Sequence, residues 1–549
     1  MRRALYASVV LAVLAAMTLT MVGAASGSTT YVPRWVKHVR NYPGGLDGTV
    51  RASLKRGVIN STSPSNRATS GQEVGAAAGL NVQMNDDTDP PLPQNETQVA
   101  YSEDDPHTAV AASNDYVDGG VWIGTTHDGG NTWKSQRLVP RVPQTGDFCT
   151  GGDPAVAYSV RDHVFYIAQL CFMRAHPESL VQVSESRDGG DHWTGFRYAA
   201  TPIGNVGDDG SVDTSVFYDK EQLAVDNFPS SPNFGRLYVT YVKFHIQPDG
   251  FSDYCPGQVS FSDDVDANND GDLRDTTFAT LGLMPDLPGD NGVSRSANQG
   301  VQPAVDDQGG VGFTFMQEDC NTSLDRRIFF RHLSADGTLG PVIRVTRKGE
   351  WKDNPNKHDL LPNKNARLPA STSAPLVWND TTKAFEFIVQ NNINRNGKIT
   401  GTPTGADISY TESHDYGATW QHLRFVSVDG TGAPAPRDQY FPWLAVDETG
   451  ASHAIWFDNR NDPGDVLIET FHAVTSDTHN WAPNDNLSTE SWDPNAGFFS
   501  SGAFIGDYNG LAAAVSTQIL EYPVWTDGRN TLPSPYGQTD IFTVPNPEP

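Results

Sequence analysis

Arginine and tyrosine residues stand a few positions ahead of several short apolar segments in this chain. Arg295, Arg367 and Arg437 precede three such segments, and a guanidinium group binds a carboxylate through two parallel hydrogen bonds. A nearby carboxylic acid can transfer a proton, and a tyrosine beside an acid can act as a nucleophile. Such arginines suit an anionic ligand, with ordinary loop charges and salt bridges as the alternative. The candidate catalytic residues are Arg295, Arg367, Arg437, Tyr440, Asp507 and Tyr508.

Two segments share one spacing, in which an aspartate follows a tryptophan by two residues and an arginine follows two residues later. An Asp and an Arg at this spacing can pair with each other or bond to the loop backbone. Because identical copies in two repeats suggest architecture, we favour ion pairs that lock each repeat over ligand contacts. The segments are Trp456-Phe457-Asp458-Asn459-Arg460 and Trp525-Thr526-Asp527-Gly528-Arg529.

An acidic loop is the best candidate for a metal site. The run Asp-x-Asn-x-Asp-Gly from Asp266 to Gly271 resembles the start of an EF-hand Ca²⁺ loop. Thr277 stands where the bidentate glutamate belongs, with Asp272 or Asp275 as substitutes, so we expect either a Ca²⁺ site or a solvated acidic loop. The histidines show no zinc-binding spacing, so zinc is not expected. No phosphate-binding loop is present, and no organic cofactor is expected. The candidate ligands are Asp264, Asp266, Asn268, Asp270 and Asp272.

Three copies of the pattern Ser/Thr-x-Asp-x-Gly-x-x-Trp begin at Thr126, Ser186 and Ser413. The Asp and Ser/Thr side chains can hold a tight turn through backbone N–H groups, Gly supplies a positive φ, and Trp covers the turn. The pattern resembles the Asp-box (BNR) repeat of sialidases and related β-propellers. The resemblance implies an all-β propeller in which these turns are structural. Their key residues are Asp128, Trp133, Asp188, Trp193, Asp415 and Trp420.

A second repeat consists of seven short segments rich in small residues, at spacings of roughly 55 to 80 residues. The first begins at Gln98 and the last at Gly510. Small residues suit the crowded inner strands near a propeller axis. The sequence therefore predicts seven blades, with six, as in sialidases, as the alternative. The last repeat lacks a fourth strand, and residues 80–83 could supply it and close the ring.

In each predicted blade the loop that enters strand one and the loop that leaves strand two lie on one face, here called the axial face. Ligand contacts are expected there, and the Asp turns lie on the opposite face. All four cysteines fall on the axial face. For an exported protein we predict the pairs Cys149–Cys171 and Cys255–Cys320, although four cysteines allow three connectivities. Further axial ligand candidates are Asp153, Glu221, Asp458, Arg460, Asp527 and Arg529.

The resemblance to sialidases implies an exo-glycosidase that acts on terminal acidic sugars. The family's Arg-Ile-Pro motif is missing before the first Asp box, and the nearest forms are Arg141-Val142-Pro143 and Arg367-Leu368-Pro369. Three function hypotheses therefore stay open. They are a glycoside hydrolase of exo-sialidase type, a non-catalytic propeller that binds carbohydrate or protein, and a structural surface protein.

Composition and the N-terminus restrict partners and location. The formal net charge of −28 repels phosphate backbones, so no nucleic-acid binding is expected. Arg2 and Arg3 precede an apolar stretch and then small residues up to Ala25, which indicates a secretion signal, with an uncleaved anchor as the alternative. We predict a secreted protein with a signal peptide at 1–25, a poorly ordered leader or linker at 26–79 and a propeller at 80–549. No later segment could span a membrane, and the expected partner is an extracellular glycan, glycoconjugate or protein.

Overall fold

The computed structural model describes Val74, Gly75 and most of residues 81–545. The gaps within 81–545 are residues 87–92, 117–118, 173–176, 196–197, 285–297, 318–319, 321–326, 355–359, 365, 367, 371–373, 482, 497–503, 518 and 531–538. The predicted signal peptide and nearly all of the predicted leader lie outside the described residues.

Strand composition follows from distance to the ring axis. Second strands are long and rich in β-branched and aromatic residues, and Val164–Phe172 is buried along its whole length. First strands carry small side chains, as in Gly510–Val515 with its three consecutive alanines. Small residues allow seven strands to meet around one axis.

Seven antiparallel sheets, the blades, make up the described structure. Two short strands come first, β1 (Val74–Gly75) and β2 (Val82–Gln83). Blade 1 contains β3 (Gln94–Ser102), β4 (Asp105–Asp115), β5 (Val121–Thr126) and β6 (Thr132–Leu138), and blade 2 contains β7 (Ala155–Ser159), β8 (Val164–Phe172), β9 (Ser179–Ser186) and β10 (Ala200–Gly204). Blade 3 contains β11 (Val216–Val225), β12 (Leu237–Ile246), β13 (Ser252–Tyr254), β14 (Gly257–Ser262) and β15 (Ala279–Gly282).

Blade 4 contains β16 (Asn298–Val305), β17 (Val311–Gln317), β18 (Arg327–Leu333) and β19 (Ile343–Arg344), and blade 5 contains β20 (Leu376–Asn379), β21 (Ala384–Asn391), β22 (Asp407–Ser413) and β23 (Arg424–Phe425). Blade 6 contains β24 (Gln439–Val446), β25 (Ser452–Asp458), β26 (Glu469–Thr475) and β27 (Asp485–Asn486), and blade 7 contains β28 (Gly510–Val515), β29 (Ile519–Asp527) and β30 (Asp540–Thr543). The described part also contains two 3₁₀ turns, Leu273–Asp275 and Pro494–Ala496.

The N-terminal strand β2 closes the ring. It pairs with β30, with Val82 opposite Thr543 and Gln83 opposite Phe542, and so becomes the outer strand of blade 7. The predicted closure and the count of seven blades are confirmed, and the alternative of six is wrong. Two residues of the predicted leader are also ordered into the sheet, because β1 pairs with β6 through Val74 and Trp133.

Apolar clusters fill the spaces between neighbouring blades. Val110 and Ile123 of blade 1 pack with Phe165 of blade 2, and Tyr522 of blade 7 packs with Trp122 of blade 1. The first and last blades therefore share a core like any other neighbouring pair, which is the packing that a closed ring requires. No helix in the described residues is long and apolar enough to cross a membrane.

The three Asp turns join strands three and four of blades 1, 2 and 5 and share one hydrogen-bond pattern. In blade 1 the Thr126 hydroxyl donates to Asp128 (2.8 Å), and the backbone N–H groups of Gly130 (3.0 Å) and Thr132 (2.9 Å) donate to Thr126 and Asp128. Burial acts to raise the pKa of Asp128, but the hydrogen bonds from Thr132 outweigh it and lower the pKa. The turns at Ser186 and Ser413 repeat these bonds.

Blade 6 contains a fourth turn of this kind, which the sequence pattern does not predict. The Thr475 hydroxyl donates to Asp477 (2.9 Å), whose carboxylate also accepts the backbone N–H groups of His479 and Asn480. Trp481 is buried beside it. The tryptophan comes one residue earlier than in the other copies and the glycine is absent, so the pattern was not recognised.

Both predicted disulfides are confirmed. Cys149 bonds to Cys171 with a Cα–Cα distance of 5.3 Å, and Cys255 bonds to Cys320 with a Cα–Cα distance of 5.9 Å. The second bond links blade 3 to blade 4. The assignment of each cysteine to one blade or to two adjacent blades therefore distinguished the correct connectivity from the three that four cysteines allow.

Candidate functional site

Four charged residues meet near the ring axis at the axial face, and we call Lys220, Glu96, Asp153 and Asp507 the Lys220 cluster. They come from blades 3, 1, 2 and 7, each at or just before the first strand. Glu96 and Lys220 sit in β-bulges of β3 and β11, where the pairing register shifts. Their φ angles of 61° and 58° are positive, and such bulges redirect side chains toward functional sites.

The lysine ammonium contacts all three carboxylates. Lys220 Nζ lies 2.8 Å from Asp153, 2.7 Å from Asp507 and 3.4 Å from Glu96. The four side chains are at most 3% exposed. Burial acts to lower the pKa of Lys220, but the carboxylates of Asp153 and Asp507 outweigh it and raise the pKa well above its usual value. The lysine is therefore a fixed cation.

The carboxyl groups around Lys220 outnumber the ammonium, so some of them hold protons. Burial, and then the nearby Asp153, raise the pKa of Glu96 well above its usual range. Burial raises the pKa of Asp219 to about 8, and burial followed by Asp153 raises the pKa of Glu221 well above the usual range. The carboxyl oxygens of Asp219 and Glu221 have no hydrogen-bond partner among the described residues. Carboxyl groups with raised pKa values and an ion-paired lysine thus lie side by side.

Asn114 and Tyr508 complete the surroundings of the Lys220 cluster. Asn114, at the end of β4, donates from its amide to Glu96 and accepts the backbone N–H of Asp153 at 2.7 Å. The Tyr508 ring lies 6.0 Å from Lys220 Nζ, and its hydroxyl donates to the Pro154 carbonyl at 3.4 Å. These contacts fix the orientation of the charged groups.

A second buried lysine lies between blades 5 and 6, and we call Lys364, Asp438, Asp465 and Arg395 the Lys364 cluster. Lys364 Nζ is 2.8 Å from Asp438 and 3.1 Å from Asp465, and Arg395 contacts the other oxygen of Asp438. The Lys364 and Asp438 side chains are fully buried. The Tyr440 ring lies 6.0 Å from Lys364 Nζ. Like the Lys220 cluster, the Lys364 cluster places a buried lysine against two aspartates and 6.0 Å from a tyrosine ring.

The predicted catalytic residues do not form one constellation in the described structure. Arg295 and Arg367 lie outside the described residues, and Arg437 donates to the Arg460 carbonyl at 2.9 Å. Tyr440 is adjacent to the Lys364 cluster and Tyr508 to the Lys220 cluster. Both tyrosines are buried, and burial raises the pKa of each well above its usual value, which makes a phenolate nucleophile harder to form.

Among the axial candidates, Asp507, Asp153 and Glu221 come together at the Lys220 cluster. Glu96 and Lys220 were missed. A signal was present, because Gln98-Val99-Ala100 aligns with Gln222-Leu223-Ala224 and places Glu96 and Lys220 at the same position of two first strands. An acidic and a basic side chain at equivalent positions of two first strands can form an ion pair near the ring axis.

The two matched aspartate–arginine pairs have the same arrangement. Arg460 pairs with Asp458 at 2.6 Å, and Arg529 pairs with Asp527 at 2.7 Å. In each case the preceding tryptophan donates its indole N–H to the aspartate and the arginine stacks on a phenylalanine of the adjoining strand. Such repeated contacts within a blade fit the architectural interpretation.

The acidic loop of blade 3 directs its carboxylates at its own backbone. Asp266 accepts the N–H groups of Asp270 (3.0 Å) and Gly271 (3.1 Å) and pairs with Arg187 at 3.0 Å. Asn268 donates to Asp275, and Asp272 accepts from Arg274. Calcium binding by Asp264, Asp266, Asn268, Asp270 and Asp272 stays a prediction.

The first strands of all seven blades line a cavity of about 310 Å³. Its lining residues include Gln98, Gln222, Gln302, Trp378 and Trp443. Its lining runs along the first strands from Gln98 and Gln222 to Tyr101 and Asn227, where the chain turns toward strand two. The cavity therefore extends toward the face that carries the Asp turns, and no residue of the Lys220 cluster lines it.

No protein-family model and no curated protein sequence matches this chain. Solved structures of similar fold include the Hadza microbial sialidase Hz136, at 12% identity and a TM-score of 0.42, covering 68% of this chain and 65% of the sialidase. The α-L-arabinofuranosidase Arb93A of Fusarium graminearum matches at 12% identity and a TM-score of 0.42, covering 72% of this chain and 97% of the arabinofuranosidase. The α-L-arabinanase of Penicillium chrysogenum matches at 12% identity and a TM-score of 0.41, covering 70% and 94%. These likenesses concern the fold alone.

Proposed function

We propose that this protein is an extracellular propeller that acts on glycans, with the Lys220 cluster as the chemical centre of a glycoside hydrolase. The observation that carries the proposal is the group of acids around one buried ammonium, which four different blades bring to the ring axis. Strongly perturbed carboxyl groups at the centre of a ring-shaped fold are a signature of functional sites.

Glycoside hydrolysis needs one acid that carries a proton and one carboxylate that acts as a base or a nucleophile. Glu221 fits the first role, because burial raises its pKa well above the usual range and so favours the protonated acid. Asp153 and Asp507 fit the second, because each contacts the Lys220 ammonium directly. Because both aspartates contact the same ammonium, at 2.8 Å and 2.7 Å, the two contacting carboxylate oxygens lie close together.

The charge of the Lys220 cluster favours an uncharged sugar. One ammonium faces three carboxylates, with Asp219 and Glu221 beside them. A sugar carboxylate placed here would meet like charge, which is costly in a buried site. An acidic sugar would instead require Arg295 or Arg367 to reach the same place. We therefore propose a neutral terminal sugar as the substrate class.

Burial of the Lys220 cluster supports a second candidate, a non-catalytic glycan-binding propeller. In this case the charged cluster would be a structural anchor, and the ligand would occupy the cavity lined by Gln98, Gln222, Trp378 and Trp443. Amide groups that bond to hydroxyls and indoles that stack on sugar rings are typical of such sites.

A screen of the purified protein against chromogenic glycosides, with glycan-array binding alongside, separates the two candidates. For the hydrolase, Glu221→Gln and Asp153→Asn should each lower kcat by about 10²-fold or more while binding persists. Asp128→Ala, in an Asp turn of blade 1, is the matched control and should keep activity. If the wild type cleaves no glycoside, and Trp443→Ala abolishes array binding, the hydrolase proposal is wrong and the second candidate stands.

A further inference from the structure

Two histidines and a glutamate converge in the core between blades 6 and 7. His453 lies on β25, His472 on β26 and Glu521 on β29. One ligand atom from each residue can be chosen so that all three lie within 4.8 Å of one another. The three side chains are at most 5% exposed. This cluster is separate from the Lys220 cluster and from the cavity.

His453 is oriented by a second carboxylate. Asp447 lies 3.1 Å from Nε2 of His453, and its other oxygen is held by the backbone N–H groups of Thr449 (2.8 Å) and Ala451 (3.0 Å). With Nε2 directed at this anchored carboxylate, Nδ1 contacts Glu521 directly, and Nδ1 becomes a metal ligand when it gives up its proton. A carboxylate behind the coordinating histidine is the outer-shell arrangement of metal sites.

His472 distinguishes a metal site from a simple ion pair. Its Nε2 lies 3.1 Å from Glu521, yet neither ring nitrogen makes a hydrogen bond to a described residue, although the side chain is only 1% exposed. A proton shared between His453 and Glu521 would leave this buried imidazole unsatisfied, at the cost of a lost hydrogen bond. A cation between the three residues would satisfy Nδ1 of His453, Nε2 of His472 and the Glu521 carboxylate together.

We propose that His453, His472 and Glu521 form a binding site for a divalent transition metal, with zinc as the ion that this donor set favours. Two imidazoles and one carboxylate are a recurrent zinc ligand set, and the second carboxylate oxygen or a water can complete four-coordination. The ion fastens strands two and three of blade 6 to strand two of blade 7. The sequence pointed away from zinc because the three ligands lie on three strands of two blades.

The metal content of the purified protein tests the proposal. Protein produced with zinc in the medium should contain about one zinc per chain by mass spectrometry of the elements, because a buried site fills as the chain folds. His472→Ala and the isosteric Glu521→Gln should each lower the content by about tenfold or more. His332→Ala is the matched control, since His332 pairs with Asp306 at the corresponding turn of blade 4 and belongs to no group of three possible metal ligands among the described residues.

Cobalt provides a readout of geometry. Protein refolded with CoCl₂ and intact disulfides should show the visible bands of tetrahedral Co²⁺, and His472→Ala should lack them. A chelator present during heating should lower the melting temperature of the wild type and leave that of Glu521→Gln unchanged. The proposal is overturned if the wild type holds neither zinc nor cobalt after both preparations, or if His472→Ala and Glu521→Gln retain the full metal content.

Discussion

Replacement of Lys220 by methionine tests the electrostatic account of the axial cluster. The substitution keeps the length and the apolar stem of the side chain and removes only the ammonium that contacts Asp153, Asp507 and Glu96. The buried carboxylates then have no cation, so at least one of them must take up a proton for the chain to fold. The free energy of that protonation sets the expected loss of stability.

An aspartate with an ordinary pKa near 3.9 costs about 4 kcal/mol to protonate at pH 7, at about 1.4 kcal/mol for each pH unit. This agrees with the loss of about 3–5 kcal/mol when one partner of a buried ion pair is removed. At pH 5 the same protonation costs only about 1.5 kcal/mol. The folded variant binds more protons than its unfolded chain, so its stability rises as the pH falls.

Urea unfolding followed by circular dichroism at pH 7 and pH 5 measures both values. Lys383→Met is the matched control, because Lys383 also contacts two carboxylates, Asp307 at 2.9 Å and Asp380 at 2.6 Å, but is 52% exposed. Exposed pairs contribute at most about 1 kcal/mol, and no pH dependence is expected. A Lys220→Met loss below about 1 kcal/mol at pH 7, or a loss that does not shrink at pH 5, would refute the reasoning.

Three further predictions concern stability. Asp128→Ala should cost about 1–2 kcal/mol by thermal unfolding, because it removes the bonds to Thr126 and Thr132, and an unchanged melting temperature would contradict the role of the turn. Burial raises the pKa of Glu386 to about 7 from 4.5. The folded chain therefore binds this proton more tightly than the unfolded chain, and the resulting gain in the free energy of unfolding is lost as the pH rises through 7. Glu386→Gln should remove about 3 kcal/mol of pH dependence between pH 4.5 and 8. A wild-type pH profile that persists in Glu386→Gln would contradict that assignment. Loss of Cys255–Cys320, with its sequence separation of 65, should cost about 1 kcal/mol more than loss of Cys149–Cys171, with its separation of 22; paired alanine variants measure the difference, and the reverse order would count against the chain-entropy account.

Much of the architecture could be predicted because it repeats. Small-residue segments recur once per blade, which gave the count of seven, and the missing fourth strand of the last repeat pointed to the chain around Val82. The disulfides followed from the blade to which each cysteine belongs, with all four on the axial face. Each of these inferences needs only the order of strands within a blade, which hydrophobic patterning and turn residues record locally.

The charged clusters were predicted only in part, because they are assembled across blades. Glu96 and Lys220 meet only when the ring is closed, and their side chains are placed by bulges that single-sequence patterns do not reveal. The same holds for His453 and Glu521, which lie on different blades. The expectation that arginines and tyrosines would lead to the centre came from the family resemblance. In the described structure, lysines and carboxylates occupy it instead.

The bulge position of the first strand, which holds charged Glu96 in blade 1 and Lys220 in blade 3, holds an aromatic residue in blade 6. In blade 6 it is Phe441, at a bulge with a φ of 55°, and Phe441 packs in an apolar cluster with Tyr440 and Phe457. Blade 6 therefore has an aromatic residue at this position, although the charged Lys364 cluster lies beside Tyr440. A sugar has polar hydroxyl edges and apolar C–H faces, and sites that bind small ligands combine apolar walls with a few polar groups. The proposed glycan site rests on this combination of charged and aromatic residues at the ring axis.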